Sequence, residues 1–269
     1  MRYYDPIRNA LVYVDQEATP EFWDAHWSMN SEFRDQILNS REQFVTKTTQ
    51  QFVKAEDGPV LEGGCGLGQH VASLKNAGFE AVGVDLASGT VEKLNEYLPE
   101  LDIRQADIFD LPFPEGHFSA CWSLGVIEHF WGGYEPIARE MHRVLKVGGH
   151  AFVTFPFMSA MRRFNARLGR YPHWEGETCD GFYQFALDAG KVKKSFESLG
   201  FRVVEEKPVK GLKGIKAELP KPFSSGLQLL HGYRGKNLLM RGTRRALGEI
   251  AGLFAAHTIL LVMRKEDST

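Results

Sequence analysis

The sequence predicts an α/β fold: a mostly parallel sheet with helices on both faces. From Pro59 onward, short apolar runs alternate with stretches whose apolar residues fall at helical spacing, as repeated βαβ units require. Glycine or proline punctuates most of the boundaries, and the turn after the first of these runs is dense in glycine.

Residues 1–56 read as irregular chain followed by polar helix, with aromatic residues in EFWDAHW and helical spacing in FRDQILNSREQFVTKTTQQFV. PVLEG, beginning at Pro59, is the first strand of the sheet. Leu67, Val71 and Leu74 mark the helix after it, which Gly78 ends. EAVGVD is the second strand, and Val91, Leu94 and Leu98 mark a helix that Pro99 stops. DIRQADI and FSACWSLGV read as the third and fourth strands. Ile137, Met141, Val144 and Leu145 form one face of a helix stopped at Gly148-Gly149. HAFVTFPF is the fifth strand, a helix ending at Leu199 leads into a sixth, FRVVEEKP, and HTILLVMRK is the last. Ligands of such sheets sit beyond the carboxyl ends of the strands, so every segment that leaves a strand there is a candidate for the site.

Composition narrows the class. A hydrophobic content of 43% and a charged content of 25% suit a globular protein with a real core. Cys65, Cys121 and Cys179 are too widely spaced for a metal knuckle and too few for a disulfide framework. The N-terminal stretch lacks the apolar core of a signal peptide, and AGLFAAHTILLVM is too short to span a bilayer, so a cytoplasmic protein is expected. The net charge of −2 hides an asymmetry. Between Val209 and Ala246, nine Lys/Arg face the single acid Glu218, and Arg162, Arg163, Arg167 and Arg170 cluster in a second stretch.

The glycine-rich turn decides between ligands. A dinucleotide fingerprint would need a third glycine at Gln69 or Val71, and a phosphate-binding P-loop would need a G-K-[ST] that is absent. What stands there is Glu62-x-Gly64-x-Gly66-x-Gly68, an acid ending a strand and three alternating glycines. This resembles the first motif of the class I S-adenosylmethionine (SAM) dependent methyltransferases, in particular the type-11-like small-molecule group. QADIFDLPFPEGHFSACWSLGVIEHF and REMHRVLKVGGHAFVTFP resemble the motifs that follow in that family. The resemblance covers Pro59 to Pro156 well; one departure is Phe118-Ser119, where many members have Phe-Asp.

The resemblance implies a Rossmann-like seven-stranded sheet with an antiparallel strand 7, and SAM as the cofactor. It implies SAM contacts from Glu62, Gly63, Gly64, Cys65, Gly66 and Gly68, from Asp85 and Leu86, from Asp107 and Ile108, and from Ser123 and Leu124. Glu62 would meet the ligand's ammonium and Asp85 its ribose hydroxyls, while Asp107 and Ile108 flank the adenine. Glycines let the backbone approach a ligand closely. The domain expected is 57–269, with insertions at about 157–180 and 209–256, preceded by an N-terminal cap at 1–56 that brings Trp23 or Trp27 near the methionine end.

Chemistry falls to the exit of the fourth strand. His129 is the candidate base, and Glu128 its orienter or a ligand contact; His26 and His173 are weaker candidates. No spacing of His, Cys, Asp and Glu makes a metal site. Both basic insertions leave the ligand end of the sheet. They favour an anionic acceptor, with Arg162, Arg163, Arg241, Arg244 and Arg245 as suspects, or peripheral contact with a membrane through GLQLLHGYRGKNLLM. The activity implied is O-methylation of a small or lipid-linked acceptor such as a glycan, quinone or natural product. A SAM-binding, catalytically silent partner of another enzyme is the alternative. No nucleic-acid module is visible.

Overall fold

The computed structural model describes residues 1–27, 33–40, 43–176, 180–219 and 237–267. Its elements, in chain order, begin with β1 (Arg2–Asp5), β2 (Ala10–Val14), α1 (Pro20–His26), α2 (Phe33–Leu38) and α3 (Gln43–Phe52). β3 (Val60–Gly63), α4 (Gln69–Asn76), β4 (Ala81–Asp85), α5 (Ser88–Tyr97), β5 (Asp102–Gln105) and β6 (Phe118–Leu124) follow. Next come α6 (Glu135–Val144), β7 (Leu145–Pro156), α7 (Ala160–Arg167), β8 (Phe182–Ala186), α8 (Ala189–Ser198) and β9 (Phe201–Val209). The chain then runs through α9 (Gly211–Glu218) and α10 (Leu238–Ala255) to β10 (Thr258–Lys265).

The seven expected strands form one sheet in the order β5-β4-β3-β6-β7-β10-β9. β10 runs antiparallel to both β7 and β9, and the pairs from β5 to β7 are parallel. This is the Rossmann-like sheet with an antiparallel last strand. Its central strands read as continuous apolar runs because both faces are covered. Alternate residues divide between two cores: Cys121, Val153, Ile259 and Leu261 pack with α6 and α8, while Ala120, Trp122, Phe152, Leu260 and Val262 pack with α3, α4 and α5. Trp122 buries its ring on the second face and satisfies its Nε1–H at Thr49 Oγ1, 2.9 Å away.

Three features depart from expectation. The segment 1–14, read as irregular chain, forms the antiparallel hairpin β1–β2, and β2 pairs with β8 in the connection after β7. A second, three-stranded sheet thereby ties the N-terminus to that insertion. Leu145, expected on the helix, starts β7 instead. The buried Lys265 ammonium donates to the carbonyls of His142 and Leu145, capping the end of α6 where the chain turns into the strand. The third is α10, a long helix inside the basic stretch. Gly211 and Gly214 of α9 lie on its backbone and the turn after it. A Cβ on Gly211 would come within 2.2 Å of Gly248 O, and one on Gly214 within 1.6 Å of Ala255 O.

A buried ionic cluster locks these parts together. Glu218 Oε1 accepts from Arg2 Nη1 at 2.9 Å and Arg162 Nε at 3.0 Å; its Oε2 accepts from Asn165 and from the Tyr171 hydroxyl. Burial alone would raise the Glu218 carboxyl, but Arg2, the Tyr171 hydroxyl and Arg162 outweigh it and hold it below its ordinary 4.5. A depressed carboxyl contributes stability above the unfolded value, and that contribution is lost as pH falls through the folded value. Glu218→Gln leaves the buried Arg162 uncompensated and is expected to cost about 3–5 kcal/mol. Urea unfolding at pH 7 should show the loss, and the gap to wild type should narrow as pH is lowered through the folded value.

Candidate functional site

A cavity of about 1060 Å³ opens over the carboxyl ends of β3, β4, β6 and β7 and reaches the start of α9. The glycine turn forms its floor. Gly64 and Gly66 have φ of 73° and 50°, a left-handed conformation that a side chain resists. Gly64 N–H and Cys65 N–H both donate to Val84 O, and Gly66 N–H donates to Asp85 Oδ2 at 2.8 Å. Asp85 Oδ1 accepts from Ala87 N–H at 3.0 Å, so this one carboxylate orders both the glycine turn and the start of α5.

Of the residues expected at the cofactor, Glu62, Gly64, Cys65, Gly66, Asp85, Leu86, Asp107, Ile108 and Leu124 line the cavity. Gly63, Gly68 and Ser123 are not among the lining residues. Gly63 packs on Ile108, Gly68 packs on Ile103 at the start of α4, and Ser123 is fully buried in β6. Glu62 is 2% exposed and its Oε2 has no partner. Burial, then the neighbouring Asp85, push its carboxyl well above the usual range. Burial, Glu62 and Asp85 likewise raise the Cys65 thiol well above its usual range, so Cys65 is no nucleophile at neutral pH.

α1 forms one wall. Thr19 caps it by accepting from Phe22 N–H, and Asp24 Oδ1 accepts from both Thr90 N–H and Thr90 Oγ1, capping α5 from outside. Trp23 and Trp27 stack at 6.1 Å, both line the cavity, and a Cβ on Gly66 would meet Trp27 Cζ2 at 2.8 Å.

The 127–129 turn after β6 brings Glu128 and His129 to the opposite wall. His129 Nδ1 donates to Tyr183 O at 2.7 Å, and its ring meets Trp23 and Tyr183 edge-on at 5.1 and 5.0 Å. The Tyr183 carbonyl on β8, not Glu128, therefore orients the ring. Burial lowers the His129 pKa from its ordinary 6.5, only partly offset by that bond. A shallower cavity of about 440 Å³, lined by Phe109, Phe130, Trp131 and Phe182, adjoins the other side of His129.

Glu128 is 2% exposed with Oε2 unpartnered, and burial lifts its carboxyl to about 8. A raised carboxyl stabilises the fold fully below the unfolded value near 4.5, and the contribution fades as pH rises to about 8. Glu128→Gln should therefore gain on wild type with rising pH, by at most about 1.4 kcal/mol per pH unit, and level off once the wild-type group ionises. Paired urea melts at pH 5 and pH 8 would read this difference.

His26 and His173 are exposed and line neither cavity. Arg162, a suspected acceptor contact, is 1% exposed, and its donors are spent on Glu218, Phe157 O, His257 O and His257 Nδ1. Arg163 bonds to Met158 O, and Arg241, Arg244 and Arg245 lie on α10 away from the cavity lining. Cations of the basic insertion do reach the cavity, but they are Lys210 and Lys213, with His257 beside them. Of the aromatic residues in the first insertion and on β8 after it, Tyr171, Phe182 and Phe185 are buried, and Tyr183 lines the large cavity. Residues 226–236 of the stretch expected at a membrane lie outside the described residues. No helix among the described residues is long and apolar enough to cross a membrane.

A methyltransferase domain is matched over residues 61–153. A probable S-adenosylmethionine-dependent methyltransferase of Mycolicibacterium smegmatis is 28% identical over 144 residues, 54% of this chain and 52% of that protein. The 27-O-demethylrifamycin SV methyltransferase of Amycolatopsis mediterranei is 31% identical over 97 residues, 34% of this chain and 35% of that protein. The chain thus spans about half the length of the first relative and about a third of the second. Among solved structures, the putative methyltransferase complexed with the Trm112 methyltransferase activator of Haloferax volcanii superposes with a TM-score of 0.56 at 16% identity. That superposition covers 93% of this chain and 96% of the other, and it speaks to the fold.

Proposed function

This chain carries the domain of the class I SAM-dependent methyltransferases, and from that premise we infer that it methylates a hydroxyl oxygen of a small acceptor, with His129 as the base. The bond from His129 Nδ1 to the Tyr183 carbonyl carries this reading. It fixes the ring proton on Nδ1 and leaves Nε2 to accept a proton at the cavity wall. Burial keeps the ring neutral at pH 7, so the base is ready without first losing a proton.

When bound, SAM supplies a sulfonium methyl group that an oxygen nucleophile displaces in line, leaving a neutral thioether. The chain's own residues fit such a ligand. The unpartnered Oε2 of Glu62 would hold an ammonium, whose charge would bring the carboxyl back to its ionised form. Asp85, which already accepts two backbone N–H groups, keeps lone pairs for ribose hydroxyls. Leu86, 46% exposed at the cavity, and Ile108 would enclose the adenine, with Asp107 at its amino edge. Gly64, Cys65, Gly66 and Leu124 would contact the cofactor through their backbone, while Gly63, Gly68 and Ser123 would shape the turn from behind. Residues 1–56 would then act as a cap whose Trp23 and Trp27 keep water from the reacting atoms. His129 Nε2 takes the acceptor's proton, and Glu128, neutral below about pH 8, can donate a hydrogen bond to the acceptor.

Thermal unfolding with added ligands tests the cofactor. SAM or its demethylated product S-adenosylhomocysteine (SAH), at 100 times its Kd, should add about 2.7 kcal/mol of stability, and NAD none. Stabilisation by NAD and not by SAM or SAH would overturn the reading.

A further inference from the structure

Resting on that reading, we propose that Lys210 and Lys213 form an anion subsite that holds a phosphate or carboxylate of the acceptor while its hydroxyl faces His129. The sheet separates two halves of the cavity. Glu62, Asp85 and Asp107 stand at the ends of β3 and β4 and just after β5. Lys210 and Lys213 lie past β9, beside the start of β10. β10 is three strands from β3 in the sheet order, about 14 Å at roughly 4.8 Å per strand. The two lysines therefore line the half that the cofactor residues leave free. β6 lies between the halves and delivers His129.

The charge of this half is unbalanced. Neither lysine makes an ion pair among the described residues, and Glu128, the carboxyl that lines this half, is buried and neutral at pH 7. Arg162 is near enough to act on Lys213, and its guanidinium is already paired with the buried Glu218. The effect reaches His257, which lines the cavity beside them: burial first, then Arg162, Lys213 and Lys210, push its pKa down to about 2. Partial burial, Lys210, Arg162 and Lys216 also lower Lys213. Like charges gathered in a cavity without a counter-charge leave room for an anion that neutralises them.

The backbone supports the assignment. Lys210 sits at φ 59°, ψ 44°, a left-handed conformation that a non-glycine residue resists. Lys210 lines the cavity at the N-terminus of α9, whose dipole also favours negative charge.

The test titrates phenyl phosphate and 4-hydroxybenzoate into SAH-loaded wild type and into the Lys210→Asn/Lys213→Gln double variant. Asn tolerates the left-handed backbone, and Lys213→Gln alone serves as a second variant that leaves that turn untouched. At low ionic strength, at least one probe should bind wild type about tenfold or more tightly than the double variant, with SAH affinity equal in both. The tighter probe tells whether the acceptor's anion is phosphate or carboxylate. Equal binding to both proteins, or no binding of either probe to SAH-loaded wild type, overturns the subsite and leaves the cofactor reading standing. Failure of SAH itself to bind wild type sinks both.

Discussion

Replacing His129 by Ala is expected to lower kcat by roughly 10²–10⁴-fold, with KM for the acceptor changed little. A hydroxyl of ordinary acidity is a poor nucleophile, so its proton must leave as the new bond forms. His129 is held for that step by Tyr183 O on one side and the edge of Trp23 on the other. The residual rate in the variant reflects positioning, which the rest of the cavity still supplies. The pH profile separates this role from a structural one. Wild-type kcat/KM should fall on an acid limb below pH 6.5, because burial lowers the imidazole. The variant should lose that limb and follow acceptor ionisation alone. A variant with an unchanged acid limb and a raised KM would make His129 a binding residue only.

Removing the Asp85 carboxylate is the second large effect. Asp85→Ala deletes two bonds that shape the site, to Gly66 N–H and Ala87 N–H, and the acceptors expected for the ribose. Hydrogen bonds to a charged group contribute about 1.5–3 kcal/mol each, so losing two to the ligand should weaken SAH binding by roughly 10²-fold or more. Asp85→Asn keeps one oxygen and should lose less. Calorimetric titration of SAH reads both. Asp107→Ala, at an exposed residue whose carboxylate accepts from Phe109 N–H, should cost less than either. Equal losses at Asp85 and Asp107 would contradict the assignment.

Most of the sheet was legible because strands buried on both faces announce themselves as apolar runs, and FSACWSL and TILLVM are such runs. The glycine turn was legible because left-handed backbone and close approach leave few residue choices. The hairpin β1–β2 was not, since ALVYV sits between RYYD and β8, and β8 comes from far along the chain. α10 was hidden by its glycines. Read locally, Gly242, Gly248 and Gly252 are helix breakers; in the fold, the 248–252 stretch is where Gly211 of α9 meets its backbone. The site followed the same division. Residues on β3, β4 and β6 could be named from motifs. Tyr183, Lys210, Lys213 and His257 sit on connections whose end of the sheet can be inferred, though not which of their side chains turn inward. Arginine content misled for that reason: Arg162 is buried in an ionic cluster, and two lysines took its place at the cavity.

The central claim is that methyl moves from SAM to an oxygen in this cavity, and isotopically labelled methyl tests it most directly. Purified protein with methyl-labelled SAM and a fractionated small-molecule extract should move label into a low-molecular-mass compound as a methyl ether or ester. Transfer should depend on Asp85 and fall steeply in His129→Ala. Binding of SAM with no label leaving it in any fraction would contradict the account and make the chain a silent SAM-binding partner of another enzyme.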